Sequence, residues 1–288
     1  MTAQRTITRA VHLSGIGLHT GGPVSCRMLP APPDHGVSFS RVDAAQAPTI
    51  PARLSEVVAT DRGVVLGHTM RVATVEHLLA AAHGLGIDNL TVEVNGEELP
   101  CGDGSGLIFT DALMQAGPVE QDAPRHPIAV TAPVWAIRER SLVVAIPAPQ
   151  LRVTVLTTVE GTSIPAQVAE FDAGVDDFVA TMASARTWGF AAELDALRTR
   201  ALARGASLDN VLGIGANGYL NEPRFSNEVA RHKVLDLIGD LALLGRPLHA
   251  HVVAIRSGHG LHIALARLIA RSAVAAPVTR GSSSACRE

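Results

Sequence analysis

The chain has 288 residues, 47% of them hydrophobic and 18% charged, so it can bury a substantial core and is not intrinsically disordered over most of its length. Its formal net charge of −3, without a block of basic residues, argues against nucleic acid or an anionic membrane surface as a partner. No apolar run has the length of a membrane span and no hydrophobic signal stretch is present, so we expect a soluble, cytoplasmic protein that does not span a membrane. The three cysteines lack CxxC spacing, in keeping with a reducing compartment.

The first half of the chain is predicted to contain short strands, separated by Gly- and Pro-rich turns, and one clear helix. The predicted strands lie at 6–13, 23–28, 37–41 and 90–94. The helix follows Thr74, which can cap it, and its apolar stripe starts at Val75 and ends before Gly84. A second helix is predicted from Gly106 to Gly117.

A linker is predicted in the segment GPVEQDAPRHP, which carries three prolines and few apolar residues between Gly117 and Pro133. We therefore predict two domains, at residues 1–120 and 127–272, and a disordered tail at 276–288. The elements predicted for the second domain are strands at 128–137, 142–146, 151–158 and 250–255 and helices at 175–184, 191–204, 227–244 and 259–270. A helix, a turn with glycine and a strand occur at 75–94 and again at 232–255, a weak indication that each half contains the same α+β unit.

The most informative stretch is RHKVLDLIGD, which begins at Arg231. On a helix, His232, Asp236 and Asp240 share one stripe opposite an apolar face. An imidazole nitrogen and a carboxylate oxygen one turn apart can bind a single divalent cation. The same pattern is also typical of the solvated face of an ordinary amphipathic helix, so the stretch leaves both interpretations open.

Lys233 is the one lysine among the 24 Lys and Arg residues of the chain. An ammonium group is a compact point charge that can lie against an oxyanion, whereas a guanidinium is a broad fork. The retention of lysine indicates that a point charge is needed at this position. The alternative is a leftover lysine without a special role.

Three further segments carry candidate functional groups. In TVEH, at the start of the first predicted helix, His77 could be a third metal ligand and Glu76 the carboxylate that takes a proton from water, although a glutamate is also favoured there by the helix dipole. His259 lies where a strand turns into a helix, a place where histidines are often functional but more often lie on the surface. The segment SARTWGF at 184–190 carries a hydroxyl and two aromatic rings, which ordinary packing would also explain. The other histidines, including His262, have no partner at useful spacing and are predicted to be surface or core residues.

Taken together and in this order, six segments resemble the UDP-3-O-acyl-N-acetylglucosamine deacetylases, the zinc amidases of lipid A biosynthesis. The segments are SGIGLHTG (14–21), TVEHLLAAAHGLGIDNLTVEV (74–94), DGS (103–105), SARTWGF (184–190), RHKVLDLIGDLALLG (231–245) and SGH (257–259). The resemblance covers residues 5–272. It implies an α+β fold with two domains of similar topology, each a β-sheet layer packed on α-helices, and an active site between them.

The resemblance also implies a role for each matching residue. The zinc ligands would be His77, His232 and Asp236. The catalytic groups would be the base Glu76, the general acid His259 with Asp240 orienting its ring, and Lys233 and Thr187 at the oxyanion. The substrate-binding residues would be Trp188, Phe190 and His19. An inserted segment of the second domain, at roughly 157–172, would form the apolar groove for the acyl chain.

We therefore expect a zinc-dependent N-deacetylase that releases acetate from a UDP-sugar with an acyl chain. Two alternatives are an amidase with the same machinery and another substrate, and a metal-bound sensor without catalysis. The joint presence of Glu76, Lys233 and His259 argues against the sensor, because a binding protein has no use for a base and an acid together. Iron(II) competes with zinc as the native metal, and we expect a monomer because no long exposed apolar stripe is apparent.

Overall fold

The computed structural model describes residues 2–275 and has an α+β fold. Its helices are α1 (Glu76–Gly84), α2 (Leu107–Ala116), α3 (Phe178–Thr181), α4 (Leu194–Thr199), α5 (Glu228–Ala242) and α6 (His259–Ala275). The strands of the first half are β1 (Ala3–Ile7), β2 (Val11–Ile16), β3 (Pro23–Pro30), β4 (Val37–Arg41), β5 (Ile50–Pro51), β6 (Val57–Ala59), β7 (Val65–Leu66), β8 (Val72–Ala73), β9 (Leu90–Val94) and β10 (Pro118–Pro124). The strands of the second half are β11 (Ile128–Ala129), β12 (Val134–Arg138), β13 (Ser141–Ile146), β14 (Arg152–Thr157), β15 (Gln167–Asp172), β16 (Trp188–Phe190), β17 (Leu212–Gly215), β18 (Gly218–Tyr219), β19 (Leu248–His249) and β20 (His251–Ile255).

Two five-stranded sheets share one topology. Their strand orders are β2-β3-β9-β4-β5 in the first half and β12-β13-β20-β14-β15 in the second. In both sheets the third and fourth strands in this order pair in parallel and every other neighbouring pair is antiparallel. One helix precedes the central strand along the chain and another follows it, α1 and α2 around β9 and α5 and α6 around β20. The expected α+β fold with two units of similar topology is thus confirmed, and the weak sequence repeat reflects α1–β9 and α5–β20.

Each sheet packs on its own pair of helices. Phe39 of β4 and Leu113 of α2 belong to one buried apolar core, and Val252 of β20 and Leu265 of α6 belong to another. The two helical layers meet where α1 packs on α5. Gly239 allows the close approach, because a Cβ atom at this position would collide with the backbone of α1. This close approach brings the start of α1 beside the middle of α5. None of the helices within residues 2–275 is both long and apolar enough to cross a membrane.

The expected linker is partly wrong, because residues 118–124 form strand β10, which pairs antiparallel with β1. Two of the three prolines that suggest a linker, Pro118 and Pro124, lie at the ends of this strand, where proline is tolerated. The strands expected at 6–13 and 128–137 are each divided into two. The domain limits stay a prediction, and the expected disordered tail lies outside the described residues.

Three helical expectations also need correction. Thr74 does not cap α1: it has a left-handed backbone (φ 54°), and the N-cap is Val75, without a side-chain hydrogen bond. The helix expected at 175–184 is the single turn α3, capped by the carboxylate of Asp177. The helix expected at 191–204 shortens to α4 after one 3-10 turn.

The segment expected to form an acyl-chain insertion, 157–172, divides into two parts. Residues 167–172 are strand β15, an edge strand of the second sheet, so this part of the expectation is wrong. In the preceding loop, Val159 and Ile164 pack in a third apolar cluster with the small sheet β16-β17-β18. The separate substructure of the second half is therefore this small sheet together with the loop.

Candidate active site

Three candidate metal ligands from both halves of the chain meet at the α1–α5 contact. His77 lies in the first turn of α1, and His232 and Asp236 lie one turn apart on α5. The Oδ1 atom of Asp236 is 3.6 Å from Nε2 of His77 and 3.2 Å from Nε2 of His232. One ligand atom of each residue lies within 4.8 Å of the others, and all three side chains are buried. Because they are buried, this stripe of α5 is not the solvated face of an amphipathic helix.

The environment of these three residues fits a divalent cation. Within residues 2–275, Oδ1 of Asp236 is buried without a hydrogen-bond partner, which is unfavourable unless a ligand satisfies it. Nδ1 of His232 donates a 3.0 Å hydrogen bond to the carbonyl of Ala185, so Nε2 keeps its lone pair. Burial acts to raise the pKa of Asp236, but His232 and His259 outweigh it and hold the pKa well below its usual value. Two imidazoles and one carboxylate are a donor set of catalytic zinc and of non-haem iron(II) sites.

Glu76 precedes His77 in the first turn of α1 and is buried beside it. Its Oε2 atom accepts a 3.0 Å hydrogen bond from the backbone N–H of Val64. Its Oε1 atom lies 3.9 Å from Nε2 of His259. The backbone therefore holds one carboxylate oxygen in place, and the other is available to accept a proton.

His259, the first residue of α6, is oriented by a buried carboxylate on α5. Its Nδ1 donates to Asp240, 2.8 Å from Oδ2 and 3.1 Å from Oδ1, so that Nε2 faces Glu76 and lies 4.0 Å from Asp236. Burial acts to lower the pKa of His259, but Asp240, Asp236 and Glu76 together raise it to about 10. The ring is therefore a cation at neutral pH. An imidazolium held by a carboxylate can donate a proton to a leaving group.

His262 reaches the same carboxylate. Its Nδ1 lies 2.7 Å from Oδ2 of Asp240, and its Nε2 lies 2.7 Å from the hydroxyl of Ser257. The expectation that His262 has no partner at useful spacing is therefore wrong. The overlooked signal is its distance from His259, because residues three apart lie on the same face of a helix.

A cleft of about 370 Å³ between the two halves of the chain is lined by the three candidate metal ligands together with Glu76 and His259. Thr187, Trp188 and Lys233 line the same cleft, as the sequence interpretation requires. The ammonium of Lys233 lies 5.7 Å from the centre of the Trp188 ring. The backbone of Thr187 is anchored on both sides, because its N–H donates to Gly104 and its carbonyl accepts from Leu212.

Two of the predicted substrate-binding residues, Phe190 and His19, are not among the residues that line this cleft. Phe190 packs edge-on against Trp188, with ring centres 5.8 Å apart, in the third apolar cluster. Both ring nitrogens of His19 form hydrogen bonds with the backbone: Nδ1 accepts from the N–H of Ala203, and Nε2 donates to the carbonyl of Arg62. The roles predicted for Phe190 and His19 in substrate binding stay predictions.

The chain is similar in sequence to known proteins over most of its length. A model of the family of UDP-3-O-acyl N-acetylglycosamine deacetylases matches residues 4–271. The chain belongs to this family. Relatives named UDP-3-O-acyl-N-acetylglucosamine deacetylase include proteins of Thermosynechococcus vestitus, 42% identical over 95% of this chain and 96% of the relative, of Acinetobacter baumannii, 40% identical over 93% and 91%, and of Myxococcus xanthus, 39% identical over 92% and 86%.

Family membership confirms the resemblance found in the sequence and the expectation that the chain is a deacetylase. The group His77, His232 and Asp236 can hold a metal ion. The identity of that ion and the role of each side chain in the cleft stay predictions.

Proposed function

We propose that this chain removes the N-acetyl group from UDP-3-O-acyl-N-acetylglucosamine, with release of acetate, as a cytoplasmic step of lipid A biosynthesis. The observation that carries the proposal is the convergence of His77, His232 and Asp236 with Glu76 and His259 in one cleft of a chain that belongs to the deacetylase family. Zinc held by the first three residues would lower the pKa of the attacking water and polarise the amide carbonyl.

Glu76 acts as the general base and His259 as the general acid. Oε1 of Glu76 accepts the proton of the attacking water, and the hydrogen bond from Val64 keeps the carboxylate in the cleft. The amide nitrogen is a poor leaving group until it is protonated, so Nε2–H of His259 donates to it. Asp240 holds Nδ1 of His259 and thereby keeps Nε2 on the cleft side.

Lys233 and Thr187 stabilise the negative charge that develops on the carbonyl oxygen. A fixed cation or donor beside a developing oxyanion is a major contribution to catalysis because it needs no reorganisation during the reaction. Both residues line the cleft. Lys233 lines the same cleft as the proposed metal ligand His232, which supports a position of its ammonium beside the reacting carbonyl.

The small sheet β16-β17-β18 supplies the apolar surface for the acyl chain. Trp188 lines the cleft and packs on Phe190, and both rings contact the buried cluster that contains Val159 and Ile164. An apolar surface that is continuous with the cleft suits an acyl group on the neighbouring sugar oxygen. Arg138, an exposed cation that lines the cleft, is the group we expect to contact the diphosphate.

The test is acetate release by Glu76→Ala. With the base removed, we expect turnover to fall by about 10²- to 10⁴-fold while the metal content stays that of the wild type. Glu97→Ala, a change of an exposed glutamate, is the matched control and keeps its activity. Near-native turnover of Glu76→Ala would show that the base is misassigned.

Two further measurements address the metal and the substrate. Elemental analysis of the purified protein distinguishes zinc from iron(II), which the donor set also suits. Turnover of a simple acetamide without inhibition by UDP would favour the alternative, an amidase with the same machinery and a different substrate. The monomeric state expected from the sequence stays a prediction.

A further inference from the structure

Ser257, His262 and Asp240 form a hydrogen-bonded chain that ends at His259 in the cleft. Asp240 and His262 are completely buried, and Ser257 is nearly so. His259 and His262 lie three residues apart on α6, so both rings project from one helix face toward α5. There they meet the single carboxylate of Asp240, whose Oδ2 atom lies 2.8 Å from one Nδ1 and 2.7 Å from the other.

The hydrogen-bond pattern determines which nitrogen of His262 carries the proton. Burial acts to raise the pKa of Asp240, but His259 and the hydrogen bonds from both rings outweigh it and lower the pKa, so the carboxylate is ionised and can only accept. Nδ1 of His262 must therefore donate. Nε2 of this ring accepts from the Ser257 hydroxyl, which completes a neutral tautomer, and burial lowers the pKa of His262 in agreement with a neutral ring.

We propose that His262, with its tautomer set by Asp240 and its Nε2 held by Ser257, is a positioning residue for the general acid, because its Nδ1–H fixes the plane of the Asp240 carboxylate and through it the ring of His259. This inference rests on the proposed function, which makes His259 the acid. Two N–H donors arriving at Oδ2 from different side chains restrain rotation of the carboxylate, whereas one donor would leave it free to follow His259. The hydrogen-bond partners of metal ligands, which position a side chain in the same indirect way, typically change activity by about 10- to 100-fold.

Neither His262 nor Ser257 lies among the residues that line the cleft. Their removal should therefore displace the acid without removing a contact to the substrate. A displaced acid lowers kcat and leaves KM nearly unchanged. A residue that merely supports the fold would instead lower the amount of folded enzyme, with kcat per folded molecule unaltered.

The experiment compares His262→Asn with His262→Gln. The amide nitrogen of asparagine can occupy the place of Nδ1 and donate to Asp240, whereas the glutamine amide reaches the place of Nε2 and contacts Ser257 only. We expect His262→Gln to lose about 10- to 100-fold in kcat with KM within about twofold, and His262→Asn to lose less than about threefold. Ser257→Ala, which removes the hydrogen bond at Nε2 and leaves the ring less firmly held, should fall between them.

A spectroscopic measurement tests the same inference without turnover. In ¹⁵N-histidine-labelled wild-type protein, the signals that disappear in His262→Asn belong to His262 and should be those of a neutral ring protonated at Nδ1. In His262→Gln, the Nδ1–H signal of His259 should shift because its carboxylate partner is no longer restrained. If His262→Gln fails to fold, Ser257→Ala and the wild-type spectrum carry the test.

The matched control is the pair His83→Asn and His83→Gln, at a half-buried histidine near the other end of α1, which should not change kcat. Equal losses in the two His262 variants, a change confined to KM, or a wild-type His262 protonated at Nε2 would each overturn the inference. Failure of the proposed function is distinct, because wild-type protein would then release no acetate from the UDP-sugar.

Discussion

At the scale of single residues, Lys233 combines an unusual composition with an informative position. The other 23 of the 24 lysine and arginine residues are arginine. The ammonium of Lys233 lies at the cleft wall, 5.7 Å from the centre of the Trp188 ring. That distance is within the range of a cation–π contact, which orients the ammonium without neutralising it. A compact charge with three rotatable donors can follow an oxyanion as it forms, whereas a planar fork must be aligned beforehand.

Lys233→Arg is therefore expected to be a damaging exchange although charge is conserved. We expect kcat to fall by about 10²-fold, as for loss of one oxyanion donor, with a smaller change in KM. Steady-state acetate release measures both constants. The reverse exchange at an exposed site, Arg140→Lys, should leave both unaltered. Equal kcat in Lys233→Arg and wild type would mean that the lysine is a leftover of biased composition.

The candidate metal ligands could be nominated from the sequence because their signals are local. His232 and Asp236 are one helical turn apart, and the neighbours Glu76 and His77 begin the other helix, so residue type and spacing alone nominate them. The convergence of the two helices was not visible in spacing and came from the family resemblance. His262 escaped notice because its partners, Asp240 and Ser257, are brought to it by the packing of α6 on α5 rather than by spacing within one motif.

At the scale of elements, the segment before β16 is tied to the first turn of α5 by a buried ion pair. The guanidinium of Arg186 donates to both carboxylate oxygens of Glu228, at 2.8 and 3.0 Å. The pair fixes the backbone from Ala185 to Thr187. The carbonyl of Ala185 accepts the hydrogen bond from Nδ1 of His232. Burial acts to raise the pKa of Glu228, but Arg186 and backbone N–H donors outweigh it and lower the pKa below 4.5.

Glu228→Gln should destabilise the protein because it leaves the Arg186 cation buried without a counter-charge. We expect a loss of about 3–5 kcal/mol in the free energy of unfolding at pH 7, measured with urea on metal-free protein. Because the folded-state pKa of Glu228 is depressed, its contribution is complete above 4.5 and is lost as pH falls further, so the two proteins should converge in acid. Glu170→Gln, at an exposed pair with Arg152, is the control and should lose less than about 1 kcal/mol. A similar loss in both variants would contradict the argument.

The elements that could be predicted are those in which apolar residues recur with a clear helical or strand period. The helix α5 has an apolar stripe and the strands β4 and β9 coincide with their predicted ranges. The two-residue strands such as β7 and β8 are too short to show alternation, so no pattern could reveal them. The prediction of a helix at 175–184 is too long. The alanines of this segment favour a helix, but Phe178 and Met182 pack into the core of the second half and the helix ends after the single turn α3.

At the scale of the whole molecule, the candidate metal site lies where the helical layers of the two halves meet. His77 belongs to α1 of the first half, and His232 and Asp236 belong to α5 of the second, so an ion bound by all three would link α1 to α5 directly. The shared topology of the two sheets explains the arrangement, because corresponding helices of two similar units face each other. A single chain thereby obtains ligands from two helices at one contact.

Removal of the metal should consequently lower the Tm of the entire chain rather than of one half. Binding at a free concentration about 100 times Kd adds about 2.7 kcal/mol to the free energy of unfolding, and the stripped protein also keeps Asp236 Oδ1 buried without a partner. Thermal unfolding with and without a chelator measures the difference. His77→Ala should show a much smaller difference, because it lacks one ligand, whereas Glu76→Ala retains all three ligands and should respond as the wild type does. If the chelator shifts His77→Ala as strongly as the wild type, the ion does not join the two halves at this site.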